Sequence, residues 1–440
     1  MLFHIFPFGC QMNRHEAELL AGALLAQGYE EAGSPEEADV VVYFTCSVRA
    51  HAEDRVWSHL GAWRDPRGRA RPRALAVLGC MAERLGARVL ERMPHVDLVA
   101  GPGRLDEVPA LLAKVLAGER PVVATGGSDG RSCPLDPALA LRPRRFQAFL
   151  AAMRGCDGGC TYCVVPRVRG RERSVPPEEL ERAARRLVEG GALEITLLGQ
   201  NIDRYGLDLS PPESLAGLLR RLASIRGLAR LRFVTSHPRD ITEELLRAMA
   251  ELPVVMPMLH IPAQSGSDRI LAAMRRGYTR ARYEEVLARS RELVPGIEIV
   301  SDFIVGFPGE TERDFEETLA LVRQARFQSA FVFKYSPRPG TPAARLRDDV
   351  PRELKEERHR RLSELQREIS LGLNKALVGC ELEVLAEGPS RTDPRRWTGR
   401  TRTGRIAAFL SERDPTGELV SVRVEDATAL VLLGSELRAG

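Results

Sequence analysis

The segment RGCDGGCTYCVVP places Cys156, Cys160 and Cys163 in a Cys-x3-Cys-x2-Cys array. It lies on a glycine-rich loop directly after the apolar run Gln147–Met153. Three thiolates this close can grip three irons of one cubane and leave the fourth iron open. Thiolates suit iron–sulfur clusters and zinc alike. A zinc site asks for a fourth Cys or His nearby, and the local sequence offers none. Zinc and a chance group of buried thiols are the competing readings of these three residues.

The surrounding pattern predicts an α/β multidomain chain. In residues 1–120, strands at Leu2–Phe8, Asp39–Phe44, Ala74–Leu78 and Val96–Ala100 alternate with amphipathic segments at Arg14–Gln27, Ala50–Trp63, from Ala82, and at Leu105–Leu116. Continuous apolar strands between helices imply a parallel sheet covered on both faces. Residues 121–145 lack periodicity and read as a linker. Residues 146–375 repeat the rhythm with six strands, at Gln147–Met153, Leu193–Leu198, Leu231–Thr235, Val255–His260, Ile297–Val305 and Ala330–Tyr335, then a charged helix from 351. Six units are too few for an eight-fold barrel, so a partial (β/α)6 barrel is expected. Residues 376–440 change to short strands, at Glu381–Ala386, Ile406–Leu410, Leu419–Val424 and Thr428–Leu432, parted by Gly, Pro and Asp, as in a small all-β barrel. With 44% hydrophobic and 28% charged residues, disorder is excluded as the main state. No apolar run is long enough for a membrane helix, and the start, MLFHIFPFGC, lacks the basic n-region of a secretory signal. A cytoplasmic chain with reduced thiols is expected.

Cys10, Cys46 and Cys80 share one position, each after a strand and before a helix. In a parallel sheet such points lie along the edge where ligands bind, and helix N-termini favour negative thiolates. Once the first cluster is granted, this set can hold a second; otherwise each is an ordinary buried Cys. The barrel strands also end in polar, Gly- or Pro-containing loops: LLGQN, TSHP, LHIPAQSGS, SDFIVGFPGE and KYSPRPGTPA. Active sites on βα folds lie at such ends. Cys133 and Cys380 have no partners in either set and read as structural. His237 and His260, at strand ends, suit a satisfied rim histidine or a substrate contact equally.

The Cys-x3-Cys-x2-Cys loop at the first strand of a six-unit barrel resembles the radical S-adenosylmethionine (SAM) superfamily, with Tyr162 at its aromatic position. Two three-Cys sites in one chain resemble the methylthiotransferases, which carry an N-terminal cluster domain, a radical SAM barrel and a TRAM domain. FGCQMNRHEAE, TCSVRAHAEDRVWSHLGAW, Gly79-Cys80-Met81-Ala82 and VPRVRGRE resemble the MiaB-type tRNA branch. Phe44, Glu16, Ala17, Gly158 and Val175 depart from its usual residues, and none is a cysteine of either set. The resemblance implies two [4Fe–4S] clusters and SAM as cofactors. Cys156, Cys160 and Cys163 would hold the SAM-binding cluster, and Cys10, Cys46 and Cys80 an auxiliary one. It places Tyr162, Gly199, Gln200, Asn201, Gln264, Ser265 and Asp302 as candidate contacts to SAM. It implies methylthiolation at C2 of N6-isopentenyladenosine beside a tRNA anticodon. A flavodoxin- or ferredoxin-like electron donor and a monomeric chain are the expectations for partners, and the sequence itself leaves the oligomeric state open. The N-terminal domain should then fold over the barrel's open edge.

The net charge is only +4, but arginines are concentrated. Residues 391–405 hold Arg391, Arg395, Arg396, Arg400, Arg402 and Arg405 around Trp397, and residues 142–173 hold eight more Arg. Cations interleaved with an aromatic suit phosphate contact and stacking on RNA; a solvated charged loop is the plain alternative. Three rival functions stay open: methylthiolation of a threonylcarbamoyl adenosine or of a ribosomal protein, a non-catalytic RNA-binding iron–sulfur protein, and a zinc-binding RNA module.

Overall fold

A computed structural model describes residues 1–47, 50–64, 71–126 and 135–437. Cys133 lies outside the described residues. The N-terminal sheet is parallel throughout, with strands in the order Glu30–Glu31, Leu2–Pro7, Val40–Thr45, Ala74–Gly79, Leu98–Ala100, Val122–Ala124. Val40–Thr45 and Ala74–Gly79 are buried at every position, as strands covered on both faces must be. One core lies on each face, around Phe3, Val42 and Leu112 on one side and Val41, Val77 and Leu60 on the other. The chain order reverses between Leu2–Pro7 and Val40–Thr45, the kind of switch point where α/β sheets open a binding crevice. Val122–Ala124, expected in the linker, is instead the sixth strand of this sheet. Its three residues are too few to show a period.

All six barrel strands are present, as two parallel three-stranded sheets. Gln147–Ala151, Glu194–Leu198 and Arg230–Phe233 form one, and Met258–His260, Glu298–Val305 and Ser329–Lys334 the other. The bridge Leu231–Val255 joins them. Among the described residues no ladder links the first strand to the sixth, so the barrel is open on one side. Leu197, Leu259, Phe303 and Phe315 are fully buried in a core shared by strands and helices. The helix Arg352–Lys375 seals the outside of the sixth strand through Gln366 to the Phe327 carbonyl (2.8 Å) and Ser370 to the Gln328 carbonyl (2.8 Å).

The C-terminal module is a closed five-stranded barrel of Glu381–Pro389, Arg396–Thr401, Ile406–Leu410, Val431–Glu436 and Leu419–Ala427. Arg396–Thr401 lies in the basic stretch where no strand was expected. Its Arg, Thr and Gly residues hide the apolar alternation that announces a strand, yet it pairs with neighbours on both sides. The last strand also starts later than expected, at Val431. This module sits under the barrel, against residues that begin its strands. Arg405 pairs with Glu298 and Asn374. Fully buried Arg230 donates to Glu383 Oε1 (2.9 Å) and the Arg400 carbonyl (2.8 Å). Gln147 Nε2 reaches Glu387 (3.2 Å), and Arg402 reaches the Pro253 carbonyl. The opposite strand ends are thereby left to the N-terminal domain.

Candidate active site

The three N-terminal cysteines follow three adjacent strands. Register pairs Pro7 with Phe44 and Thr45 with Gly79, so Cys10, Cys46 and Cys80 emerge side by side. Gly9 makes the approach possible. At its φ of +119° a Cβ would lie 2.5 Å from Cys46 Cβ and 2.8 Å from Asn13 Nδ2. Cys80 begins the helix Cys80–Leu85 rather than preceding it, and Cys10 precedes Gln11–Ala26. A hydrogen bond from the Cys46 thiol draws the Cys10 thiol down to about 6, against the opposing effect of burial. Burial pushes the Cys80 thiol up to about 11.

The second triad lies on the loop after the first barrel strand. Gly155, at φ +75°, passes so close to the Arg171 carbonyl that a Cβ would sit 1.9 Å from it. The Cys156 amide bonds the Gly170 carbonyl (3.1 Å), and Thr161 is tied to the carbonyls of Met274 and Ala273 (3.0 Å each). Arg276, buried, donates from Nη1 to Cys160 Sγ (3.3 Å). Burial raises Cys156 to about 11 and Cys163 to about 12.

Both triads line one cavity of about 340 Å³ between the N-terminal domain and the barrel mouth. Tyr162, Gly199, Gln200, Asn201, Gln264 and Asp302 line it too. Gln200 Oε1 accepts from the Gly155 amide (2.6 Å), bracing the cysteine loop. Asn201 donates to Asp240 (2.8 Å), while its buried Oδ1 has no partner. Gln264 holds φ +67° in the bridge between the fourth and fifth strands. Asp302 Oδ1 lies 3.3 Å from His260 Nε2, off the line of a hydrogen bond. Ser265 does not join them: fully buried, its hydroxyl lies against Thr318 (3.4 Å) and accepts from the Ser267 amide (3.2 Å). His237 faces the cavity, held neutral by burial and by Arg276, with its pKa lowered to about 3. A smaller hollow of about 150 Å³ shares Tyr162, Cys163, Gln264 and Asp302.

The arginines of 391–405 are mostly engaged within the chain. Arg405 is buried in the seam below the barrel and Arg402 is bonded there. Arg400 bonds the Gly404 carbonyl (3.0 Å), and Arg396 the Gly434 carbonyl (3.2 Å). Trp397 packs on the small barrel's core. Arg391 and Arg395 are exposed, and Arg395 is paired with Asp393 (3.1 Å). Exposed Cys380 lies far from either triad in the chain and lines neither hollow. Sequence reading missed the buried Arg169 and Arg276, whose partners Glu16 and Cys160 lie more than a hundred residues away.

The donor set of each triad is thiol only, the soft set that iron–sulfur clusters use. Among the described residues no three His, Cys, Asp or Glu side chains are drawn together as ligands of a single ion. Such a loop on the first strand of a six-stranded partial barrel is the arrangement of radical SAM proteins. Residues 150–322 match the Radical SAM superfamily, 2–101 the Uncharacterized protein family UPF0004, and 375–437 the TRAM domain. Among solved structures, a radical S-adenosylmethionine methyltransferase, TsrM, from Kitasatospora setae superposes with a TM-score of 0.55 at 16% identity, covering 78% of this chain and 73% of that one. It shares the fold. Three relatives named tRNA-2-methylthio-N(6)-dimethylallyladenosine synthase align almost end to end. That of Moorella thermoacetica is 45% identical over 98% of this chain and 97% of its own. That of Rhodopirellula baltica is 42% identical (98% and 94%), and that of Carboxydothermus hydrogenoformans 42% (98% and 98%). With this identity along the whole length, and with both cysteine triads on one cavity, the chain belongs to the family of tRNA-2-methylthio-N(6)-dimethylallyladenosine synthases, within the radical SAM enzymes.

Proposed function

We propose that the chain adds a methylthio group at C2 of N6-isopentenyladenosine beside the anticodon of tRNA. The observation that carries this reading is the convergence of two thiol triads on one cavity at the barrel mouth. The names of the full-length relatives support the nucleoside. The hydrogen at C2 is out of reach of any side-chain base, so the reaction needs a cofactor-derived radical. Cys156, Cys160 and Cys163 would hold the [4Fe–4S] cluster that generates it from SAM, and Cys10, Cys46 and Cys80 the cluster that supplies sulfur.

The chain's own residues bind and orient. Gln200 and Gly155 fix the loop of the second triad, and Arg276 keeps a buried positive charge at Cys160. Asn201, Gln264 and Asp302 offer polar contacts inside the cavity, while Val164, Val168 and Leu198 make part of its wall apolar. A base must leave its stack to enter so enclosed a site. The exposed Arg391 and Arg395 remain as phosphate contacts on the lower module.

The test uses the full chain, reconstituted anaerobically, reduced, and given SAM with tRNA carrying isopentenyladenosine. Mass spectrometry should find 5′-deoxyadenosine and the methylthio nucleoside. Methylthiolation of threonylcarbamoyl adenosine alone would overturn the substrate. Absence of SAM cleavage with iron and sulfide complete would overturn the enzymatic reading.

A further inference from the structure

Arg169 belongs to the central domain, on the short helix Val165–Arg169 after the second triad, yet its guanidinium lies inside the N-terminal domain's thiol site. It is 4% exposed and pairs with Glu16, itself 1% exposed. The pairing is a two-point fork, Nη1 to Oε1 (2.7 Å) and Nη2 to Oε2 (3.0 Å). Nη2 also reaches Asn13 Oδ1 (3.2 Å), and Arg169 lines the same cavity as Cys10, Cys46 and Cys80.

Asn13 extends this contact to the strand ends. Its Nδ2 donates to the carbonyls of Phe8 (2.8 Å) and Thr45 (2.9 Å), just before Cys10 and Cys46. The Thr45 hydroxyl donates to the Leu78 carbonyl (2.6 Å), just before Cys80. One hydrogen-bonded chain thus touches the backbone ahead of all three cysteines, and its hub comes from another domain. An isolated buried guanidinium–carboxylate pair is weak as a source of stability, because desolvation offsets attraction. Its desolvation is offset where further negative groups face the cation, as Cys10, Cys46 and Cys80, which share its cavity, would as thiolates of a bound cluster.

We infer that Arg169 is a positioning residue of the Cys10, Cys46 and Cys80 site, supplying from the central domain the buried positive charge and the hydrogen bonds that complete it. The N-terminal triad is therefore fully built only when the two domains are docked. This rests on the two-cluster reading above.

The experiment compares the reconstituted full chain with Arg169→Met, Arg169→Lys and Glu16→Gln, reading iron and sulfide per chain and the midpoint potential of each cluster by redox-titrated electron paramagnetic resonance. Removing the cation should make the auxiliary cluster harder to reduce, a shift to more negative potential, or should lose that cluster's share of iron. Arg169→Lys should recover part of the potential. Glu16→Gln, which leaves the cation uncompensated, should shift the potential the opposite way. The potential of the other cluster should stay near the wild-type value throughout. Wild-type iron and potential in Arg169→Met, or shifts of the same sign in Arg169→Met and Glu16→Gln, would overturn the inference. Should Arg169→Met fail to fold, the signs for Arg169→Lys and Glu16→Gln decide. A wild-type chain that takes up one cluster only would refute the two-cluster reading instead, before any variant is compared.

Discussion

Replacing Gly9 with alanine is expected to dismantle the N-terminal triad while the chain stays folded. A Cβ there would stand 2.5 Å from Cys46 Cβ, where real Cβ atoms essentially never come within 3.0 Å. Cys46 must therefore yield by about half an ångström, beyond the ~0.2 Å within which metal–ligand distances normally hold. A non-glycine residue at this φ costs about 1–3 kcal/mol, and overpacking a buried site costs about 1–3 kcal/mol more. The sum, about 2–6 kcal/mol, is below most of the ~5–15 kcal/mol that holds a domain together. Gly28→Ala is the control, because Gly28 also has a positive φ (+83°) but a Cβ there meets nothing within 4 Å. Thermal unfolding measures the backbone cost in both variants, and iron counting after anaerobic reconstitution measures the site. Gly28→Ala should keep about eight irons, and Gly9→Ala should fall to about four, one cubane of two. If Gly9→Ala retains the full count and is destabilised no more than Gly28→Ala, the steric reasoning fails.

Cys10→Ala and Cys156→Ala should each halve the iron from about eight to about four, and the double variant should bind almost none, since each triad serves its own cubane. Arg230→Met should destabilise the chain by about 3 kcal/mol in thermal or denaturant unfolding, the low end for a broken buried pair. The buried carboxylate left behind is Glu194, 3.8 Å from Arg230, and Arg232, 3.7 Å from it, softens the loss. Burial holds Asp203 at about 7 rather than 3.8, and His237 at about 3 rather than 6.5. The native state thus binds the extra proton on Asp203 between pH 3.8 and 7, so that contribution is full below 3.8 and lost as pH rises through 7. His237 acts oppositely, its contribution present above 6.5 and lost as pH falls toward 3. The two nearly cancel between pH 4 and 6.5. Asp203→Asn should therefore unmask His237, and its stability should fall more steeply than wild type on acidification across that window.

The alternating strands and helices were legible because the central strands of the N-terminal sheet are unbroken apolar runs, as at Val40–Thr45 and Ala74–Gly79. The cysteine positions were legible for the same reason, since a residue just past such a run lies on the sheet's ligand edge. Arg396–Thr401 was hidden because its buried positions are Gly and Thr, while its arginines bond carbonyls and carboxylates of the chain itself. Arg405 read as an RNA contact from local density of charge, and Arg169 passed as one arginine among the eight of residues 142–173. Their partners, Glu298 and Glu16, lie 107 and 153 residues away in the chain, and no period or spacing encodes a pairing made only when domains meet. Ser265 stands in a loop whose neighbour Gln264 faces the cavity, and one residue of backbone turn sends its hydroxyl to Thr318 instead.

The seating of the small β-barrel beneath the strand beginnings sets a length scale. The strand Glu298–Val305 rises from Glu298, bonded to Arg405 in the lower seam, toward the loops of the cavity mouth. Its 8 residues span about 26 Å at ~3.3 Å per residue. Any single ligand that touches both the lower module and the cavity must bridge that height along the outside of the molecule. A free nucleoside cannot do so, whereas a folded stem with an extruded base can. The chain is built as a caliper, with its two jaws at opposite ends of one set of strands.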